Sequence, residues 1–278
     1  MNLAQFDKKD WKYLSLSLTV IVAGIAAWIA WDLSDGRWVT AVSGGLFGGL
    51  IMGPLCVLLG SVNTKLNFLR QRDKQNHLSL REMINIRPLV DGPPLDYGHW
   101  AMDPYLGKVL AQTIARHRPA TIVECGSGTS TVFMAHLVQQ FGVAGTVTAL
   151  DHLDQYARRS RKLIEEHGCT DYAEVITAPL ENWDINGDEQ PWYGVDFERF
   201  DPQSIDLLLV DGPPAKTAPQ ARYPAVPLLK PYLAEDCLIV MDDAKRASER
   251  RTAHRWAKLL NAELERAGGP KGTFILRC

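Results

Sequence analysis

The stretch that most constrains the fold runs from Thr121 to Ser130 and reads T-I-V-E-C-G-S-G-T-S. A β-branched run ends in an acid, Glu124, and is followed by Gly126 and Gly128, after which the threonines and serine can begin a helix. Glycine permits a tight strand-to-helix turn and a close approach of a ligand to the backbone. The stretch therefore predicts a cofactor-binding turn, although one G-x-G on its own is weak evidence.

Strands and helices alternate after this turn. Two of the strands are almost wholly apolar, which indicates a parallel sheet that is covered on both faces. The alternation at 262–266, the turn G-G-P-K-G and the run T-F-I-L-R predict a C-terminal hairpin. Residues from Asp184 to Pro202 are predicted to be irregular. The predicted strands after the turn are 146–150, 173–177, 205–210 and 237–241, and the predicted helices are 155–166, a short one through Val226 and Leu229, and 247–260.

Acidic side chains stand at the ends of four predicted strands. In parallel sheets, ligands bind beyond the carboxyl ends of the strands. One acid at such a place is usually the N-cap of the next helix, but capping explains four strand ends less well. We therefore expect these acids to line one cleft. They are Glu124, Asp151, Asp211, Asp242 and Asp243.

In this arrangement the chain resembles the class I S-adenosylmethionine-dependent methyltransferases. The resemblance covers about residues 96–278 and implies a doubly wound α/β fold, with a mostly parallel seven-stranded sheet closed by a C-terminal antiparallel hairpin. Asp151 follows Gly128 by 23 positions, close to the spacing of a ribose-binding acid. The matching motifs are E-C-G-S-G-T-S (124–130), T-A-L-D (148–151), L-L-V-D-G-P-P (208–214) and L-I-V-M-D-D-A (238–244).

The resemblance implies S-adenosyl-L-methionine as the cofactor. Glu124 and the backbone from Gly126 to Gly128 would contact its amino acid end, Asp151 the ribose hydroxyls, and Leu180 with Glu181 the adenine edge. A third glycine often stands where this chain has Ser130. The implied cofactor-binding residues are Glu124, Gly126, Ser127, Gly128, Ser130, Asp151, His152, Leu180, Glu181 and Asp211.

Three carboxylates also resemble, in position, the metal ligands of the catechol-type O-methyltransferases. Asp211, Asp242 and Asp243 would repel one another in a partly desolvated cleft, so one must be protonated or a cation must neutralise them. Oxygen ligands favour Mg²⁺ or another hard divalent cation. The alternative is that Asp242 and Asp243 cap the next helix and bond Arg246 or Arg222, which leaves Asp211 alone to orient the acceptor.

The catalytic candidates are Asp211, Lys216 and Asp242. Lys216 follows Asp211 by five residues and is a candidate general base, with a solvated loop lysine as the equally weighted alternative. A lid over the site could come from the segment just ahead of the first domain helix. The candidate lid residues are Tyr97, His99 and Trp100.

Two uncharged stretches near the N-terminus predict a transmembrane helical hairpin in residues 1–66, with spans at about 13–31 and 38–60. The second stretch argues against a signal peptide. Lysines and arginines flank the hairpin on both outer sides, so both termini and the catalytic domain are expected in the cytoplasm. Residues 67–95 are interpreted as a juxtamembrane linker, and residues 96–278 as the methyltransferase domain.

Small residues recur every fourth position in the predicted second span, at Ala41, Gly45, Gly49 and Gly53. This face would pack against the first span or, less favoured, form the seam of a homodimer. A net charge of -2 and a pI near 6.4 argue against nucleic acid as a partner. Five scattered cysteines without a C-x-x-C pair argue against a zinc site or a disulfide framework.

The predicted function is O-methyl transfer to a small-molecule, glycan or lipid-linked acceptor at the cytoplasmic membrane face. One alternative is a membrane-bound scaffold that binds S-adenosylmethionine without turnover. A nicotinamide-dependent reductase ranks lower, because it would need G-x-G-x-x-G, and the residue three after Gly128 is Thr131.

Overall fold

The computed structural model describes residues 40–98 and 101–278, with side chains from residue 55 onward except at 99 and 100. The chain divides into two compact units, Met1–Lys74 and Gln75–Cys278. The second unit contains all the predicted site residues. The predicted domain limits at 66 and 95 stay predictions.

Helix α1, Thr40–Ile86, contains most of the predicted second span. Its described side chains begin at Leu55 and include charged residues from Lys65 onward, so the apolar part that they form is short. Among the described residues, no helix is long and apolar enough to cross a membrane. The predicted span at about 38–60 is therefore not supported, and the predicted span at about 13–31 lies outside the described residues. The side chains of the small-residue face, residues 41–53, also lie outside them.

The second unit alternates strands and helices in the predicted order. The helix at 247–260 and the strands at 173–177 and 205–210 have the predicted bounds, and most of the other predicted elements are met within a few residues. The elements are α2 Pro104–His117, β1 Thr121–Cys125, α3 Thr129–Gln140, β2 Thr146–Asp151, α4 Asp154–Glu166, β3 Ala173–Thr177, β4 Leu180–Ile185, β5 Asp188–Tyr193, β6 Ile205–Val210, α5 Ala225–Leu229, β7 Leu233–Met241, α6 Ala247–Leu260, β8 Glu263–Ala267 and β9 Thr273–Arg277.

Seven of these strands form one sheet in the order β3-β2-β1-β6-β7-β9-β8. The pairs among β3, β2, β1, β6 and β7 are parallel, and β9 runs antiparallel to both β7 and β8. The predicted mostly parallel sheet with an antiparallel C-terminal hairpin is confirmed. Strand order reverses between β1 and β6, and such a switch point opens a crevice for a ligand at the carboxyl ends of the strands.

One prediction about the fold is wrong. The stretch from Asp184, expected to be irregular, lies largely in a separate antiparallel hairpin of β4 and β5. Asn186 and Gly187 join these strands with φ values of 58° and 89°. Asn-Gly favours such two-residue turns because both central residues need a positive φ. The buried side chains of Trp192 and Tyr193 attach the hairpin to the core.

The core has two layers because successive strand residues face opposite sides of the sheet. In β6, Leu207 and Leu209 pack on one side, and Leu208 and Val210 pack on the other. Buried residues of the first layer include Leu106, Leu110 and Ile114 of helix Pro104–His117. The same layer contains Ile86, Val90 and Leu95 from the predicted linker, so the packed core begins before residue 96.

Candidate active site

The glycine turn lies at the switch point, directly after β1. Gly126 has a φ of 113°. A Cβ at this position would point toward the backbone of Asp211 and Gly212 and would lie 3.6 Å from Gly212 N. Gly128 has a φ of 152°, and a Cβ there would meet nothing within 4 Å. The turn thus leaves open space above its backbone, which fits a bound cofactor.

Glu124 points from the end of β1 to the first turn of α3. Its two carboxyl oxygens accept hydrogen bonds from the hydroxyls of Ser130 and Thr131, the second at 2.6 Å. Burial raises the pKa of Glu124 to about 8, against the lowering effect of the two hydroxyls. Glu124 and Ser130 therefore hold the glycine turn to α3. The predicted contact of Glu124 with the cofactor stays a prediction.

Asp151 ends β2 and faces the same turn. Its Oδ2 accepts a hydrogen bond of 2.7 Å from Ser127 Oγ, and its Oδ1 accepts one of 3.0 Å from Leu153 N. Ser127 Oγ also lies 2.8 Å from Ser160 Oγ. His152 Nδ1 lies 3.7 Å from Asp151 Oδ1, and burial lowers the pKa of His152. Ser127 and Asp151 thus meet directly, and their predicted contacts with the cofactor stay predictions.

Leu180 and Glu181 begin β4, beyond the end of β3. The preceding Ala178 N donates to Asp151 O over 2.8 Å, so this segment starts beside the Asp151 side of the cleft. The Glu181 side chain packs over Gly194, which follows β5. Glu181 is exposed and Leu180 half-buried, as an edge contact to a cofactor requires.

Tyr193 is a site residue that the sequence reasoning missed. Its ring is buried, and its hydroxyl lies against Gly212, where any Cβ would collide with it. The rings of Tyr193 and His152 lie 6.3 Å apart. Burial raises the pKa of Tyr193, so its hydroxyl stays protonated. The Asn186-Gly187 turn was the available signal, since it places Tyr193 at the end of β5.

The three carboxylates at the ends of β6 and β7 converge as predicted. Ligand oxygens of Asp211, Asp242 and Asp243 all lie within 4.8 Å of one another. Asp211 N donates to Cys125 O over 3.0 Å, and Asp242 N donates to Val210 O over 3.2 Å, so backbone bonds between neighbouring strands bring the acids together. Burial, and then the charges of the other two acids, raise the pKa of Asp242 to about 7.

Arg222 lies among these carboxylates. Its Nη2 donates to Asp211 Oδ1 over 3.0 Å, to Asp211 O over 2.7 Å and to Asp243 Oδ2 over 2.9 Å, while its Nη1 donates to Asp242 O over 3.0 Å. Arg246 Nη1 lies 2.8 Å from Asp243 Oδ2. The pairing with Arg222 and Arg246 is the one that the alternative interpretation expected. Its capping part is not observed, because α6 begins without a side-chain cap.

This arrangement does not fit a divalent ion held by all three acids. Asp211 and Asp243 already bond the same guanidinium group, and within this cluster of three acids Asp242 Oδ2 is a buried oxygen without a hydrogen-bond partner among the described residues. Lys271 Nζ lies 3.9 Å from that oxygen. The predicted Mg²⁺ or other divalent cation stays a prediction, and Arg222 counts against it.

A cleft of about 220 Å³ opens beside these residues. The exposed Lys216 lines it together with Asp211, so the structure brings two of the catalytic candidates to one cavity. The other lining residues are Pro214, Ala215, Arg222, Asp243, Arg246 and Lys271. Of the candidate lid residues, Tyr97 packs against the core, and His99 and Trp100 lie outside the described residues.

Comparison with known proteins was made on the sequence and on the fold. No curated protein matches the sequence. Similar solved structures include a methyltransferase from Geobacter sulfurreducens, with 15% identity, 62% of this chain and 77% of that chain covered and a TM-score of 0.46. The O-methyltransferase from Bacillus cereus, in complex with SAH, has 18% identity, coverage of 72% and 90% and a TM-score of 0.47. The O-methyltransferase TomG from Streptomyces achromogenes, in complex with SAM, has 14% identity, coverage of 64% and 82% and a TM-score of 0.46.

The family model described as "Methyltransferase domain" matches residues 123–244. This segment begins inside β1 and ends directly after Asp243, so it contains the glycine turn and all five strand-end acids. Residues 123–244 are thus similar to a methyltransferase domain, and this similarity agrees with the predicted enzyme class.

Proposed function

We propose that this domain transfers the methyl group of S-adenosyl-L-methionine to an oxygen atom of a small-molecule, glycan or lipid-linked acceptor. The observation that carries the proposal is the open space over Gly128, with the Asp151 carboxylate on one side and the Asp211 cleft on the other. A cofactor seated there would reach from the β2 end to the β6 end of the switch point.

On the cofactor side, Asp151 supplies two carboxylate oxygens for the vicinal hydroxyls of a ribose. Ser127 now bonds one of these oxygens, which fixes the carboxylate at the glycine turn before any ligand arrives. Leu180 and Glu181 lie at the edge where the base of a nucleoside would continue from Asp151. When bound, the cofactor supplies a methyl group on a positively charged sulfur, which a nucleophile in line with that bond can accept.

On the acceptor side, Asp211 and Lys216 face the same cleft. Asp211 is held in place by Arg222 and can accept a hydrogen bond from an acceptor hydroxyl. Lys216 can take up the proton that the hydroxyl loses as its oxygen attacks the methyl group. Tyr193 stays protonated, and its hydroxyl lies directly against Gly212 beside the Asp211 strand end.

Methyl transfer is tested with ¹³C-methyl S-adenosylmethionine and a panel of hydroxylated, amino and carboxylated acceptors. The carbon chemical shift of the product distinguishes oxygen, nitrogen and carbon as the receiving atom. Transfer to a hydroxyl that is lost in Asp211→Asn supports the proposal, and transfer to nitrogen or carbon contradicts it. Lys216→Met tests the role of general base separately from the orienting role of Asp211. Loss of activity that high pH restores supports Lys216 as the base.

A scaffold that binds the cofactor without turnover is the second candidate, since both of Glu124's oxygens serve the turn rather than a ligand. Cofactor binding without transfer to any acceptor would favour it. The reductase has less support, because Thr131 Oγ1 accepts a hydrogen bond from Gly128 N where a third glycine would be needed.

The cellular location rests on the sequence alone. The uncharged stretch 13–31 supports a membrane-bound protein, and the lysines and arginines that follow residue 64 support a domain in the cytoplasm. The small-residue face at 41–53 would form the seam of a homodimer. Recovery of the full chain in the soluble fraction without detergent would contradict the membrane part.

A further inference from the structure

We propose that Arg222 is a built-in cation that takes the place of a divalent metal ion among Asp211, Asp242 and Asp243, so that this chain transfers methyl groups without a metal. The inference rests on the proposed function for its catalytic part. Its structural part concerns only the affinity of the three acids for a cation.

The contacts of Arg222 are those expected of a central cation. One nitrogen, Nη2, reaches a side-chain oxygen of Asp211 and one of Asp243, at 3.0 and 2.9 Å. The same guanidinium group bonds the backbone oxygens of Asp211 and Asp242. A metal ion between these acids would compete with the N–H groups of Arg222 for carboxylate lone pairs, because a guanidinium donates hydrogen bonds to them and a metal ion accepts electron pairs from them.

The cluster already contains basic groups. The three acids have three of them within 4.0 Å of their oxygens, namely Arg222, Arg246 and Lys271, although Arg246 also lies 3.7 Å from Glu249. Part of the repulsion among the acids that a metal ion would relieve is thus relieved by the protein. A divalent ion would add two positive charges next to a buried guanidinium, which opposes its binding.

Arg222 is also held firmly in this position. Its side chain is only 4% exposed. The next residue is Tyr223, and the Arg255 guanidinium carbon lies 3.4 Å from the centroid of the Tyr223 ring. Trp256 Nε1 donates a hydrogen bond of 2.9 Å to Tyr223 O. These contacts fix the chain at Arg222 from the side of α6, so the guanidinium cannot easily move aside for an ion.

The catalytic consequence concerns Asp211. Arg222 fixes its Oδ1 and its backbone oxygen at the mouth of the cleft. Arg222 therefore acts as a positioning residue, and the acceptor hydroxyl is oriented by Asp211 rather than chelated by an ion.

The test measures Mn²⁺ binding by the full chain with electron paramagnetic resonance. We expect no stoichiometric Mn²⁺ binding by the wild type. The Mn²⁺ affinity of Arg222→Met should be at least about tenfold higher than that of the wild type, because the acids then lose their cation. Arg222→Lys, which keeps a positive charge, should stay without binding. Mn²⁺ should also raise the melting temperature of Arg222→Met and not that of the wild type.

A stoichiometric Mn²⁺ site in the wild type that Asp242→Asn removes would overturn the inference. So would wild-type methyl transfer that chelators abolish and Mg²⁺ restores. Both tests use the wild type, so they decide the matter even if Arg222→Met does not fold. Binding of S-adenosylhomocysteine is measured in the same samples: its absence would refute the proposed function, while the Mn²⁺ result still decides the role of Arg222.

Discussion

Ser127 Oγ donates a hydrogen bond of 2.7 Å to Asp151 Oδ2, and this bond joins the glycine turn after β1 to the end of β2. Ser127 Oγ also contacts Ser160 in α4. The two strand ends that should hold opposite parts of the cofactor are thus fixed to each other before it binds. Such preorganisation reduces the cost of ordering a site on binding.

Ser127→Ala should therefore weaken binding of S-adenosylhomocysteine by about two- to tenfold, since a typical hydrogen bond contributes about 0.5–1.5 kcal/mol. Calorimetry measures the affinity. Ser204→Ala is the matched control, because Ser204 bonds Asp201 O at an exposed site. Equal affinity of Ser127→Ala and Ser204→Ala would contradict the preorganised turn.

Gly128→Ala should abolish detectable cofactor binding while the fold survives. The φ of 152° at Gly128 disfavours any residue with a Cβ, at a cost of about 1–3 kcal/mol. The added Cβ would also point into the space assigned to the cofactor. Gly142→Ala tests strain alone, since Gly142 also has a positive φ and open space around it. If both variants bind the cofactor like the wild type, the space over Gly128 is not its site.

The pKa of Glu124 predicts a pH dependence of stability. Burial raises it from 4.5 to about 8 in the folded chain, so the unfolded chain releases the proton first as pH rises. The contribution of protonated Glu124 to the free energy of unfolding is fully present below pH 4.5 and is lost progressively up to about pH 8. The total loss amounts to about a few kcal/mol. Glu124→Gln removes this titration, so the stability of the wild type relative to the variant should fall between pH 5 and about 8. Chemical unfolding of both proteins across this range measures it, and a difference that rises with pH would contradict the burial of a protonated Glu124.

The sequence predicted most of the sheet because two of its strands are almost wholly apolar and four of its strand ends carry acids. Those acids converge because parallel strands carry their carboxyl ends to one edge of the sheet. The Glu124, Asp151 and Asp211 positions follow from that rule alone. The antiparallel C-terminal hairpin followed from its turn and its alternating pattern.

Other parts of the site depend on long-range packing that no local pattern encodes. Arg222 lies in an irregular loop, and the neighbouring Tyr223 is held by contacts with Arg255 and Trp256, which are distant in the sequence. Tyr193 became a site residue through the β4–β5 hairpin, whose strands carry too many polar residues to show apolar alternation. Here the Asn186-Gly187 turn was informative and the composition was not.

Gly187→Ala tests that interpretation of the hairpin. Gly187 has a φ of 89°, so a Cβ should destabilise the domain by about 1 kcal/mol. Gly268→Ala is the control, because Gly268 lies in the turn of the other hairpin with open space around it and without a positive φ. Denaturant unfolding compares the two variants, and equal stabilities would mean that the β4–β5 turn does not need glycine.

Calorimetry of S-adenosylhomocysteine binding to the full chain tests the central claim most directly, with Asp151→Ala measured beside the wild type. The account predicts binding by the wild type and a loss of about tenfold or more in Asp151→Ala, because hydrogen bonds to a charged group contribute about 1.5–3 kcal/mol. Both proteins should still unfold in one cooperative transition, which shows that Asp151→Ala is folded, although loss of the Ser127 and Leu153 bonds lowers its stability. No heat of binding by the wild type, or equal affinity of the two proteins, would contradict a cofactor site between the glycine turn and Asp151.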